Sequence, residues 1–273
     1  MPQLCLITAL PAETRPLLDA LKLRQQQTAH LRVFSADNLF LLETGPGKLS
    51  AAACTAAMLQ QYPDIKALLN IGIAGGGHDY GQTVLAHRIL DQASGMQWYP
   101  HLPAHKALKS MPSSTLISVD RPATNYDTGV MFDMEAAGVY SAATRYLSTS
   151  HIHCVKVISD NPDNPLEKIN KHSVSKLITT ALHHIEALIE VAQTSLNHEE
   201  HRFNEKVNHC VGSICSRIHH STNDRHQLRR LVQQHMAITG SLPQPDDSEK
   251  TAGKLRFRLQ KTLQLTPITY TDQ

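Results

Sequence analysis

The chain has 273 residues, 41% of them hydrophobic and 18% charged, with a formal net charge of +2, which suits one sizeable core plus an appendage and excludes a disordered chain. That balance makes neither nucleic acid nor an anionic membrane an obligatory partner. Cys5, Cys54, Cys154, Cys210 and Cys215 show no CxxC spacing, so a reducing, cytoplasmic setting is expected, and no apolar run approaches the roughly 18 residues of a membrane span.

The opening MPQLCLITALPAET lacks a basic n-region and reads as a first strand, Gln3 to Leu10, rather than a signal segment. Leu17, Leu18 and Leu21 then take helical spacing. Leu31 to Phe34 and Leu39 to Glu43 predict two strands joined at Ala36-Asp-Asn38. Thr44-Gly-Pro-Gly-Lys48 leads into LSAAACTAAMLQQY, a helix of small residues that can lie close against a sheet. IKALLNIGIA, from Ile65 to Ala74, is a buried strand entering Gly75-Gly-Gly77. This rhythm of strand, glycine loop and helix predicts an α/β fold covered on both faces.

Thr83 to Leu90 and Thr115 to Val119 predict further strands, with an irregular stretch at 91–114 that holds the lone Trp98. FDMEAAGVY, from Phe132 to Tyr140, opens a helix to about Leu147. The strand His153 to Ile158 empties into Ser159-Asp-Asn-Pro-Asp163. From Val174 to Ala192, apolar residues recur at three and four, the stripe of a long amphipathic helix.

Composition shifts near residue 197. Residues 198–273 hold 11 Lys and Arg against 8 Asp and Glu, and their apolar spacing predicts three helices, the last two joined by Gly240-Ser-Leu-Pro-Gln-Pro-Asp-Asp247. The expected organisation is a domain over 1–197 and a helical extension over 198–273.

Glu13, Glu135 and Asp160 fall where strands meet loops or helices, the favoured ligand position of an open α/β sheet. Singly, each also reads as a first-turn, capping or turn residue. Together with ALPAETRPLL, ETGPGKLSAAA, LLNIGIAGG, DMEAAGVY and VKVISDNPD, in that order along residues 1 to about 192, they make the chain resemble the nucleoside phosphorylase and nucleosidase superfamily. Within it, the resemblance is to the methylthioadenosine/S-adenosylhomocysteine nucleosidases.

The resemblance implies a three-layer α/β domain with a central mixed sheet, followed here by a small C-terminal helical extension. It implies cleavage of the N-glycosidic bond of a purine nucleoside. Glu135 would accept hydrogen bonds from ribose hydroxyls, Met134 would pack beneath the sugar, and Ala74, Gly75 and Ser159 would complete the binding surface. Asp160 would protonate the departing base and Glu13 would serve the attacking water. No cofactor or metal is implied, and a homodimer is the default.

Such a bond breaks through an oxocarbenium-like state, so the leaving base needs a proton donor and the sugar a nucleophile on its other face. The loop Gly45-Pro-Gly47 has no arginine, and Ile73 stands where the family usually offers serine or threonine, so water is expected as nucleophile and phosphate is the alternative. GPGKLS lacks P-loop spacing. Between Gly77 and Asp133 the chain is shorter than the standard nucleosidases, and Lys156 replaces their usual arginine. Arg121, Asn125 and Tyr126 are nearby groups that could reshape the pocket.

The extension holds seven histidines among Cys210 and Cys215, but both thiols fall on the apolar stripe and read as core rather than as zinc ligands. Its basic run Lys254 to Lys261, with Arg225, Arg229 and Arg230, reads as a solvated helix face or as a surface for nucleic acid or protein. The second alternative function is therefore a binding module built on a retired nucleosidase core.

Overall fold

The structure, a computed structural model, describes residues 3–100, 102, 106–109, 111–123, 126, 129–239, 241–243 and 251–265. The chain separates into two compact units, Met1–Asn197 and His198–Gln273. In chain order the elements are β1 (Gln3–Thr8), α1 (Pro11–Leu21), β2 (Arg24–Gln25), β3 (Arg32–Ala36), β4 (Leu39–Glu43), α2 (Lys48–Gln61), β5 (Ile65–Gly76), β6 (Thr83–Asp91) and β7 (Gln97–Trp98). They continue with β8 (Ser113–Ser118), β9 (Val130–Asp133), α3 (Ala136–Ala143), β10 (Ile152–Asp160), α4 (Lys171–Cys215), α5 (Thr222–Thr239) and α6 (Ala252–Leu265).

The sheet is mixed. β1 runs parallel to β4 on one side and to β5 on the other, and β3 returns antiparallel along β4. β5 also lies parallel to β10, while its last residues Gly75 and Gly76 pair antiparallel with Phe132 and Met131 of β9. β9 continues through β8 and β6 back to β10. Five strands thus close on themselves, which removes the free edge that β5 and β10 would otherwise present.

Strand alternation explains the three layers. Along β1, Cys5 and Ile7 face a core shared with Ala51, Met58 and Leu59 of α2 and Val139 and Ala143 of α3. Leu4 and Leu6 face the opposite core, with Leu17 of α1 and Ile178, Ile185 and Leu188 of α4. The alanines of FDMEAAGVY and LSAAAC let two helices lie against each other as well as the sheet. At Gly138 an added Cβ would overlap the carbonyl of Lys48, so α3 can approach the start of α2 only without a side chain there.

The strands expected from sequence are present, with ends shifted by one or two residues. Three short ones, β2, β7 and β9, escape a periodicity reading because two to four residues carry no measurable period. The helix after FDMEAAGVY ends at Ala143 rather than near Leu147. The two helices expected around residue 197 form one 45-residue helix, α4. No Gly or Pro occurs from Lys171 to Val211, so a drop in apolar content changes the face of the helix without ending it. Most of the Gly240–Asp247 linker lies outside the described residues.

In the second unit, Val207, Val211 and Ile214 from the end of α4 pack with Leu228 and Val232 of α5 and Leu255 and Leu259 of α6. Cys210 lies in this core and Cys215 packs against it. No described helix is long and apolar enough to cross a membrane.

Candidate active site

The ends of β1, β4, β5, β9 and β10 and the residues that follow them surround one cavity of about 270 Å³. Glu13, Ala74, Gly75, Met134, Glu135, Ser159 and Asp160, expected from sequence as site residues, all line it. Their positions follow from local rules of chain folding.

Glu13 is the third residue of α1, where a carboxylate can reach back to the exposed amides of the helix start. Its Oε2 accepts from Ala9 N and Leu10 N, both at 2.9 Å, and its Oε1 accepts from Ile73 N at 2.9 Å. The side chain is therefore both a helix cap and a cavity wall. Glu13 is 3% exposed, and burial raises its pKa above the ordinary carboxylate value, although Lys156 and the three amides oppose the shift. A raised pKa makes the ionised form a stronger base.

Glu135 closes the sequence β9–Met134 and immediately precedes α3. Its Oε1 accepts from Gly47 N at 2.8 Å, which ties the glycine loop before α2 to the start of α3. Burial first, and then the negative charge of Asp133, push the Glu135 pKa up to about 7, against the pull of Lys156 and the Gly47 amide.

Asp133 explains the first acid of FDMEAAGVY, to which sequence reasoning gave no role. Its Oδ2 accepts from Ala136 N at 2.8 Å and from Lys156 Nζ at 2.9 Å, and its Oδ1 accepts from Ser118 Oγ at 2.6 Å. Ser118 Oγ in turn accepts from Ala137 N. This one buried carboxylate caps α3 and neutralises a lysine. Lys156 is 2% exposed, and although burial works against its charge, Asp133 and the neighbouring acids hold its pKa above the ordinary lysine value. A signal for the pair was present in VKVIS: a lysine inside an apolar strand requires a buried acid partner.

Asp160 ends β10 with both oxygens occupied. Ser159 Oγ donates to Oδ1 at 2.5 Å and Tyr126 Oη donates to Oδ2 at 2.6 Å. A Cβ at Gly75 would overlap Asp160 Oδ2 and press on the Tyr126 ring, so the end of β5 must be glycine for the acid to sit there. Burial and the Asp160 hydrogen bond hold the Tyr126 phenol well above its usual pKa, which makes it a neutral donor. Arg121 is exposed and does not line the cavity, and Asn125 lies outside the described residues.

A second cavity of about 590 Å³ shares Pro46, Val119 and Met134 with the first. Its polar wall is Lys48, whose Nζ meets Asp91 Oδ1 at 2.5 Å and Asp120 Oδ1 at 2.8 Å. The three acids at the strand ends belong to the smaller cavity. Among the described residues, no group of three His, Cys, Asp or Glu side chains is placed to hold a metal ion.

No family model matches the chain, and comparison with curated proteins gives no match. Solved structures do match. A 5'-methylthioadenosine/S-adenosylhomocysteine nucleosidase from Helicobacter pylori, in complex with butyl-thio-DADMe-Immucillin-A, superposes with a TM-score of 0.60 at 13% identity, covering 70% of this chain and 98% of its own. The futalosine hydrolase of Helicobacter pylori gives 0.60 at 13% identity over 69% and 97%. A nucleosidase from Colwellia psychrerythraea in complex with adenine gives 0.57 at 16% identity over 70% and 95%. The chain therefore has a nucleoside phosphorylase/nucleosidase-like fold, a mixed sheet between helices with a helical region after it.

Proposed function

We propose that this protein hydrolyses the N-glycosidic bond of a purine nucleoside of the methylthioadenosine or S-adenosylhomocysteine type. The observation that carries the reading is the meeting of Glu13, Glu135 and Asp160 on one cavity at the carboxyl ends of the strands. It agrees with what the similar solved structures bind, a nucleoside analogue and adenine.

In this reading the ribose lies over Met134 with its hydroxyls donating to Glu135, and the base lies toward Asp160. A 5′ substituent directed past Met134 meets the larger cavity. As the C1′–N9 bond breaks, its electron pair goes to the purine, and Asp160, which takes a proton from solvent once the Tyr126 hydroxyl leaves its Oδ2, gives that proton to a ring nitrogen. A water oxygen bonds to C1′ and its proton passes to Glu13, which balances the hydrolysis. The acid and base act on opposite faces of the sugar.

Water is favoured over phosphate by the amides at Glu13. A phosphate site needs unpaired backbone N–H groups and cations, yet Ala9, Leu10 and Ile73 already donate to the Glu13 carboxylate. Lys156 is engaged with Asp133. A dianion entering here would meet the three acids Glu13, Glu135 and Asp160.

The reading includes a homodimer, for which Leu49 and Met96, exposed at the larger cavity, supply apolar surface. The test is incubation of purified protein with a nucleoside panel, with and without phosphate, while free base is measured. Base release without phosphate is expected. Strictly phosphate-dependent release would make the protein a phosphorylase, and no release from any nucleoside would overturn the enzymatic reading.

A further inference from the structure

The second unit has no part in the proposed reaction, yet α6 carries a surface of unusual composition. Its Ala252, Leu255 and Leu259 are buried in the three-helix core. Lys254, Phe257 and Lys261 recur at spacings of three and four, so they share one face of the helix, and all three are exposed. Phe257 is 70% exposed. α6 has no acidic residue, and the single acid of α5, Asp224, is paired with Arg256 at 3.2 Å. α5 adds the exposed Arg229 and Arg230.

We infer that this face of α6 binds single-stranded nucleic acid, with Lys254 and Lys261 holding backbone phosphates and a base stacking on the Phe257 ring. An aromatic ring bracketed by cations is what an unpaired strand requires, because phosphates and base faces alternate along it. A duplex hides its base faces and has no use for the ring. A membrane surface needs a broad apolar face to insert, whereas Leu255 and Leu259 of α6 are buried in the core. An acidic peptide would use the cations and leave the ring without a partner.

The experiment uses the full chain and fluorescein-labelled oligo(dT), with anisotropy read across a salt series. Two phosphate contacts predict a slope of about −1.4 in log affinity against log salt, from roughly 0.7 per contact on a single strand. Phe257→Ala, at an exposed position, should weaken binding by about fivefold or more with the slope retained. Lys254→Glu with Lys261→Glu should flatten the slope and abolish most binding, with both variants melting as the parent does. Duplex DNA, heparin and phosphatidylserine vesicles serve as competitors. Absence of binding at low salt, binding indifferent to Phe257→Ala, or stronger retention on heparin, duplex or vesicles would each overturn the inference.

Discussion

Tyr126 and Asp160, 34 residues apart in the chain, are joined by a 2.6 Å hydrogen bond in which the phenol donates to the carboxylate Oδ2. Ser159 holds the other oxygen. If Asp160 protonates a leaving purine, one of these hydroxyls has to yield to the base. Tyr126 is the one to yield, because its bond crosses between loops while Ser159 is the adjacent residue. Tyr126→Phe should therefore tighten the inhibition constant of free purine base by about 2- to 10-fold, the net worth of one such bond. Asp160→Asn should lower kcat by about a hundredfold or more. Steady-state kinetics with adenine as product inhibitor checks both, and unchanged inhibition in Tyr126→Phe would refute the competition.

Glu135 gives the fold a distinctive response to pH. Its pKa in the folded protein is about 7, raised from 4.5, so between those values the folded state binds more proton than the unfolded one. Stability from this group is complete below about pH 4.5 and is lost as pH rises through 7. Glu135→Gln should remove that slope and raise the melting temperature at pH 8 by about 2–8 °C, equivalent to about 1–2 kcal/mol. The same variant should bind nucleoside poorly. Melting curves of the two proteins at pH 5 and pH 8 decide the matter: an equal shift at both would assign the effect to something other than titration.

Lys156 and Asp133 form a buried pair whose members are not separable without cost. Lys156→Met leaves the buried Asp133 and Glu13 and the half-buried Glu135 without their shared cation, and should destabilise by about 3–5 kcal/mol. Adding Asp133→Asn should recover part of that loss, because the uncompensated charge nearest the missing ammonium is then gone. Denaturant unfolding of the two single variants and the double variant measures the coupling. Additive effects would show that the 2.9 Å contact contributes nothing of its own.

Gly138 tests the packing that brings Glu135 to the glycine loop. Its missing side chain lets α3 press on the Lys48 carbonyl, one residue after the Gly47 amide that donates to Glu135. Gly138→Ala should cost about 1–3 kcal/mol by overpacking and raise KM by moving the amide off the carboxylate. A melting temperature and KM equal to the parent's would show that the two helices can part freely.

Much of this architecture was legible in the chain itself. Five short motifs in order, each a strand end followed by a loop or helix start, were enough to expect the layered sheet and to single out Glu13, Glu135 and Asp160. Alternation along β1 and the three-and-four spacing of Val174 to Ala192 report burial locally, and local burial is what a linear pattern can encode. The basic stripe of α6 was equally plain as a shift in composition.

What only the tertiary structure decided is pairing. Asp133 with Lys156, Tyr126 with Asp160, and Gly47 with Glu135 are each far apart in the chain, and nothing in the spacing of either partner names the other. The closing strand β9 is too short to show a period, and α4 runs on past residue 197 because a change of face leaves helical hydrogen bonding intact. Sequence specifies which side chains leave water; the register and closure of the sheet determine which charges then share one low-dielectric space, and hence which way their proton affinities move.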